Sequence, residues 1–168
     1  MPSAFNDLTH LESVSGISAG SRLPDHVRLR QARQLETRCE RAGMRADVAV
    51  MDVAALSPGS FTFLCAQGHS SAAGFSSLGE RRKPAERVAD EAADGLLSFL
   101  ASKAALDAHL ADQILIYLAM IPGSHRFTVA AVTEHLLTNV WITEQFLPVR
   151  FEVVGGLREP GLVIKRDR

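Results

Sequence analysis

Two polar triples at helical spacing hold most of the chemistry in this sequence. His135, Thr138 and Asn139 stand at i, i+3 and i+4, and so do His109, Asp112 and Gln113. Those offsets bring side chains onto one helix face. Thr133 is a helix N-cap candidate, with Glu134 in the first turn behind it. His135 therefore falls near the positive end of a helix dipole. Imidazolium is disfavoured there, so His135 is expected to tend towards a neutral, nucleophilic imidazole, and an anion is drawn to the same place.

Three chemistries fit these six residues. The plainest is that they are satisfied polar groups at helix ends. A metal site is a second reading, because two histidines and a carboxylate can form a facial triad. The ligands would come from separate helices, so the spacing is not diagnostic, and no residue is assigned as a metal ligand. The third is a nucleotidyl or phosphoryl site. There His135 attacks phosphorus, Asp112 or Gln113 orients the imidazole or the substrate, and the helix N-terminus faces phosphate oxygens. Glycine loops of the types GxxxxGK[ST] and GxGxxG are absent. Ser70 and Ser71 lie beside His69 without a GxSxG elbow, which argues against a serine hydrolase. His10, His26 and His125 have no recognisable partners and are expected at the surface.

The elements that must hold the triples follow from period and punctuation. Leu106 to Ile121 reads as a helix, with Leu110, Ile114, Leu115, Leu118 and Met120 as core and Pro122-Gly123 as its stop. Arg126 to Val129 is a strand. The next helix carries Leu136, Val140 and Trp141/Ile142 as its apolar period, and Leu147-Pro148 ends it. Val149 to Val154 and Gly161 to Arg166 form a hairpin-like pair. Upstream, Leu8 to Ile17 suggests a strand and Ser18 to Ser21 a loop. Pro24 to about Ala42 suggests a helix that buries Val27, Leu29, Ala32, Leu35 and Cys39, with Gly43 at its end. Strands follow at Ala46–Val53, Phe61–Ala66 and Ala72–Leu78. After the charged loop Gly79–Pro84 comes a helix from Ala85 to about Ser102-Lys103, striped by Val88, Ala92, Leu96, Phe99 and Leu100. The fold class is thus α/β of the α+β type. A small β-α-β-β-β-α sandwich with helices on one sheet face precedes an α-β-α-β-β segment.

Between Arg22 and Arg45 there are seven arginines against Asp25, Glu36 and Glu40, a local net of +4. This is either a solvated helix face or a phosphate-contacting surface, a task that suits arginine. The whole chain has 168 residues and a net charge of -1, which gives no general pull towards nucleic acid or membrane. Its 46% apolar and 22% charged composition is that of a globular protein. Cys39 and Cys65 lack metal spacing and read as reduced thiols of an intracellular protein. MPSAFNDLTH lacks the regions of a signal peptide, and the run Ile114–Ile121 is too short to cross a bilayer. A cytoplasmic protein with no membrane partner is expected.

Several stretches closely resemble the C-terminal part of RNA 3′-terminal phosphate cyclases, in order and in spacing. They are His109-Leu110-Ala111-Asp112-Gln113, Phe127-Thr128-Val129, His135-Leu136-Leu137-Thr138-Asn139 and Phe146-Leu147-Pro148-Val149-Arg150-Phe151. Gly79-Glu80-Arg81, Pro84-Ala85-Glu86-Arg87-Val88-Ala89 and Pro24-Asp25-His26-Val27 resemble that family's inserted domain. The resemblance implies an insert-like domain over 8–104 and the last segment of the catalytic domain over 105–168. It also implies an ATP-dependent reaction with a divalent metal, Mg or Mn. A histidine takes AMP from ATP as a covalent histidine-AMP, AMP passes to an RNA 3′-phosphate, and the neighbouring 2′-hydroxyl closes a 2′,3′-cyclic phosphate.

On this pattern the nucleophile is His135, and Asp112 and Gln113 match an aspartate-glutamine pair beside the nucleotide. His109 falls where some relatives carry tyrosine. Thr138 and Asn139 complete the nucleotide-binding set. Non-catalytic relatives of ribosome assembly are expected to lack the histidine. Family members are longer, and the glycine-rich Gly-Glu-Gly-Gly-Gly-Gln-type segment and basic residues of their N-terminal half are not in this sequence. The partners implied are RNA with a 3′-phosphate end and either that missing half or a second copy, because the segment packed on it would otherwise expose an apolar face. The alternative is a non-catalytic module that binds RNA or a partner through the Arg22–Arg45 helix.

Overall fold

The computed structural model describes residues 11–69 and 71–167. The expected strand start at Leu8, the surface position of His10 and the turn at Ser70 fall outside these residues. The elements run β1 (Leu11–Ser21), α1 (Asp25–Arg41), β2 (Ala46–Asp52), β3 (Gly59–Gly68), β4 (Ala72–Leu78) and α2 (Ala85–Ser102). They continue with α3 (Ala108–Met120), β5 (His125–Val129), α4 (Glu134–Phe146), β6 (Val149–Val154) and β7 (Gly161–Asp167). The mixed α/β class and the order of elements are as the hydrophobic periods predict. The chain divides into two compact units, Asp7–Ala101 and the segment from Ser102 onward.

In the first unit the sheet order is β2-β1-β3-β4, with β1 and β2 parallel and the other pairs antiparallel. The parallel pair requires a crossover, and α1 supplies it. One sheet face carries Val14, Val48, Leu64 and Ala66, and against it lie Ala32, Leu35 and Cys39 of α1 and Ala89, Ala92, Ala93 and Leu96 of α2. Small residues dominate the α2 face, so that helix can sit close to the sheet. Gly43, at φ +76, ends α1 in a backbone conformation that costs other residues a Cβ clash.

Two local expectations fail here. Ser18 to Ser21 is not a loop but the last four residues of β1, and all four are buried. Serine and glycine read locally as turn formers, but here each Ser and Gly is a ladder partner, Ser18 opposite Thr62 and Gly20 opposite Ser60. Leu29 is 45% exposed, whereas Arg28 and Gln31 are buried on the same helix. Arg28 reaches both Asp25 and Asp52, and Gln31 is held between Ser18 and Ser60. Satisfied polar groups can thus displace an apolar residue from the buried face.

In the second unit β7 is central in a three-stranded antiparallel sheet, β5-β7-β6. Leu115 and Leu118 of α3, Leu136 of α4, and Phe127, Val129 and Val163 of the sheet form its core. Leu147 caps α4 and Pro148 follows, so the helix stops where proline predicts. Leu110 and Met120, expected inside, are exposed, as are Trp141 and Ile142 of α4. Helical period located an apolar stripe on each helix, but both helices are apolar over more than one face. Cys39 and Cys65 are free thiols, Cys39 buried. No helix among the described residues is long and apolar enough to cross a membrane.

Candidate functional site

The segments that lead into α3 and α4 are pinned by backbone hydrogen bonds. Leu106 N–H donates to the Thr128 carbonyl at 3.1 Å, and Ala130 N–H donates to the Leu106 carbonyl at 2.9 Å. Val132 exchanges bonds with the 157–159 loop, donating to Glu159 at 2.8 Å and accepting from Arg158 at 2.7 Å. Each helix then starts on a side-chain cap. Asp107 accepts from the N–H groups of His109 and Leu110 at 2.8 and 3.0 Å, and Thr133 accepts from Leu136 N–H at 3.0 Å. Such caps satisfy donors that a helix start leaves open, each contributing about 1 kcal/mol. The start positions of the two polar triples are therefore well determined.

Asn139 and Asp112 are brought together, through backbone. The Asn139 side-chain amide donates to the Asp112 main-chain carbonyl at 3.3 Å, which ties α4 to α3 at the level of both triples. The two residues are half-buried. His135 and Thr138 stand on the exposed face of α4, and His109 and Gln113 on the exposed face of α3. Among the described residues no side-chain hydrogen bond holds either imidazole, and His135 is not bonded to Asp112 or Gln113. The C-terminal end of α4 is anchored by Glu144, which accepts from Phe151 N–H at 2.7 Å and from Arg150 at 2.8 Å.

The surroundings of the exposed histidines are apolar. Ile116, Tyr117 and Met120 lie on the outer face of α3, and Leu137, Trp141 and Phe146 on that of α4. Tyr117 is 66% exposed, Trp141 65% and Phe146 83%, a concentration uncommon on a finished surface. Charge is scarce here. From Ala104 to Val149 the only lysine or arginine is Arg126. A histidine, a hydroxyl, amides and a carboxylate are present, but no cations that would offset a triphosphate stand on these helices. Among the described residues no group of three His, Cys, Asp or Glu side chains is arranged to hold a metal ion. A protein-built Mg or Mn site is therefore not supplied by the residues described.

Sequence reasoning missed the polar groups that the tertiary fold buries. Lys165 of β7 is fully buried, donating to the carbonyls of Ile121 and Gly123 at 2.8 and 2.9 Å and pairing with Asp167. That pairing, and a bond from Gly123 N–H, hold the Asp167 carboxyl below its ordinary range. Alternation with Val163 was the available signal, since both point inward from one strand. Three of the seven arginines between Arg22 and Arg45 are likewise engaged. Arg30 binds Glu86, Arg38 binds Asp90 and Asp94, and Arg28 binds Asp25 and Asp52.

Residues 7–101 match the family model described as RNA 3′-terminal phosphate cyclase (RTC), insert domain. Curated relatives extend the likeness. The protein named RNA 3′-terminal phosphate cyclase from Thermococcus onnurineus (strain NA1) is 44% identical over 158 residues, covering 92% of this chain and 45% of the relative. Its namesake from Pyrococcus furiosus is 40% identical over 94% of this chain and 45% of the relative, and that from Methanopyrus kandleri 42% over 91% and 46%. The chain spans about half the length of these curated relatives. Its first unit coincides with the residues that match the insert-domain model, and the chain belongs to the RNA 3′-terminal phosphate cyclase family.

Proposed function

We propose that this chain is the part of an RNA 3′-terminal phosphate cyclase that carries the insert domain, 8–104, and the last segment of the catalytic domain, 105–168, with His135 as the acceptor of an adenylyl group. The observation that supports it most is the placing of His135. It stands exposed in the first turn of a side-chain-capped helix, and Asn139 of the same helix is bonded to the neighbouring α3 beside Asp112. Asp112 and Gln113 flank the nucleotide, with His109 and Thr138 at its edges.

ATP is consumed in this reaction, so it is a substrate. An imidazole nitrogen of His135 bonds to the α-phosphorus, the bond to the bridging oxygen breaks, and pyrophosphate leaves with the electron pair. The adenylyl group then moves to the RNA 3′-phosphate. The 2′-hydroxyl attacks that phosphate, AMP leaves, and the 2′,3′-cyclic phosphate forms. The capped N-terminus of α4 favours the charge that develops at phosphate oxygens. The cations required by the triphosphate come from the length that these relatives have and this chain does not. A divalent ion, Mg or Mn, accompanies the nucleotide and would offset part of its phosphate charge. The setting is cytoplasmic.

A non-catalytic RNA- or partner-binding module is the second reading. It leaned on the arginine helix, and three of the seven arginines there are engaged in internal ion pairs. The deciding experiment incubates the chain, alone and with the complementary half of a cyclase, with α-labelled ATP and magnesium or manganese, followed by a denaturing gel. An acid-labile label that is lost in His135→Ala supports the proposal. A label that survives in His135→Ala, or no label under either condition, sinks it.

A further inference from the structure

At one end of the first unit, β1 and β4 finish, β3 begins, and both helices start. A cleft of about 470 Å³ opens there, large enough for a nucleotide-sized ligand. Its inner wall is apolar, with Val27 of α1 and Ala85 and Val88 of α2. Gln31, fully buried, donates from its amide to the Ser60 hydroxyl at 2.9 Å, and both residues line the cleft. Gly79 keeps the floor open, since a Cβ there would stand 2.1 Å from Ser60 Oγ.

The rim is the charged loop Glu80–Lys83. Lys83 is turned inward to Glu91, Ser77 and the Leu78 carbonyl. Arg81 and Arg82 line the same cleft, are exposed, and enter no ion pair among the described residues. The contrast with α1 is informative. Arg28, Arg30 and Arg38 have carboxylate partners; Arg81 and Arg82, like Arg33 and Arg41 of α1, have none among the described residues, but unlike those two they line this cleft. An apolar wall with a few fixed polar groups and a cationic rim is the pattern that takes a nucleotide unit, base or ribose inward and phosphate at the rim.

We infer that this cleft holds one nucleotide of a single-stranded RNA, with Arg81 and Arg82 on its phosphate. The choice of RNA rests on the cyclase reading above; the cleft itself does not involve His135. The site supplies a grip on the substrate strand that is built from the first unit alone.

The test is fluorescence anisotropy of a short 3′-phosphorylated RNA titrated with the whole chain at several salt concentrations, in the absence of ATP. The assay does not require adenylylation, so its outcome and that of the labelling experiment are separable. Arg81→Ala/Arg82→Ala should weaken binding at least tenfold and reduce the salt dependence by the equivalent of one to two phosphate contacts. The control Arg33→Ala/Arg41→Ala, also exposed arginines, should stay within about twofold. In a parallel NMR titration of wild type, the Gln31 side-chain amide and the Ser60 and Gly79 backbone signals should shift. Equal losses in the two double variants, no binding by the wild type up to millimolar protein, or shifts that spare those three residues would each overturn the inference.

Discussion

The two units solve the same problem to different degrees of completion. In the first, α1 and α2 cover one sheet face with a core of fully buried residues, and the charges at their edges meet one another. In the second, α3 and α4 bury one stripe on the sheet and leave Tyr117, Met120, Trp141 and Phe146 in solvent. The first is the more completely covered of the two, although Leu56 and Leu78 are exposed there as well. The second leaves a larger aromatic surface open, of the kind on which other protein packs. Its candidate nucleophile stands on that unfinished surface. On the proposed function, a further layer of protein completes that site.

This contrast is most easily broken at its extremes. His135→Ala should abolish covalent labelling while changing the unfolding free energy by less than about 0.5 kcal/mol, because the side chain is exposed and makes no hydrogen bond among the described residues. Leu64→Ala, at a fully buried position of the closed core, should cost about 2–5 kcal/mol in urea unfolding. A loss under 1 kcal/mol would show that this core is not the closed one described.

Arg38→Ala tests the charges between α1 and α2. Its partners Asp90 and Asp94 leave an expected cost of about 1 kcal/mol at neutral pH. Burial pushes the Asp90 carboxyl up, but bonds from Gln34 and Arg38 outweigh it and hold the group below its ordinary range. The Arg30 guanidinium lowers Glu86 likewise. A carboxyl depressed in the folded state stabilises fully above its unfolded value, near pH 4, and that contribution disappears as pH falls through the folded value. Wild type should lose stability below roughly pH 4, and the gap between wild type and Arg38→Ala should close there. A gap that persists at pH 2 would locate the effect in packing rather than charge.

The smallest stability effect is expected on the open side. Trp141→Lys should change unfolding by no more than about 0.5 kcal/mol, because the indole is mostly in solvent. It should reduce any concentration-dependent association measured by sedimentation. A large destabilisation would mean that the indole is buried after all.

The helical frame of the candidate site was legible because its determinants are local. A cap residue, an i, i+3, i+4 triple and a following Leu-Pro lie between Thr133 and Pro148, and the helix that carries His135 and Asn139 starts and stops accordingly. The burial of Arg28 and Lys165 was not legible, because a lysine or arginine reads as surface until a pair of carbonyls or carboxylates is known to meet it. Ser18 to Ser21 misled for the same reason: its composition signals a turn, and only strand partners about forty residues away in sequence made it a ladder.

By itself, the sequence determined the kind and order of the elements and where each helix starts and stops, since those are set by side-chain period, capping and the backbone limits of proline and glycine. Only the tertiary structure decided which helix faces are covered, which arginines are consumed and which stay free at a cleft. Arg38 and Asp90 are 52 residues apart, and Gln31 and Ser60 are 29. Whether such groups meet depends on how the layers stack, and no local free energy fixes that.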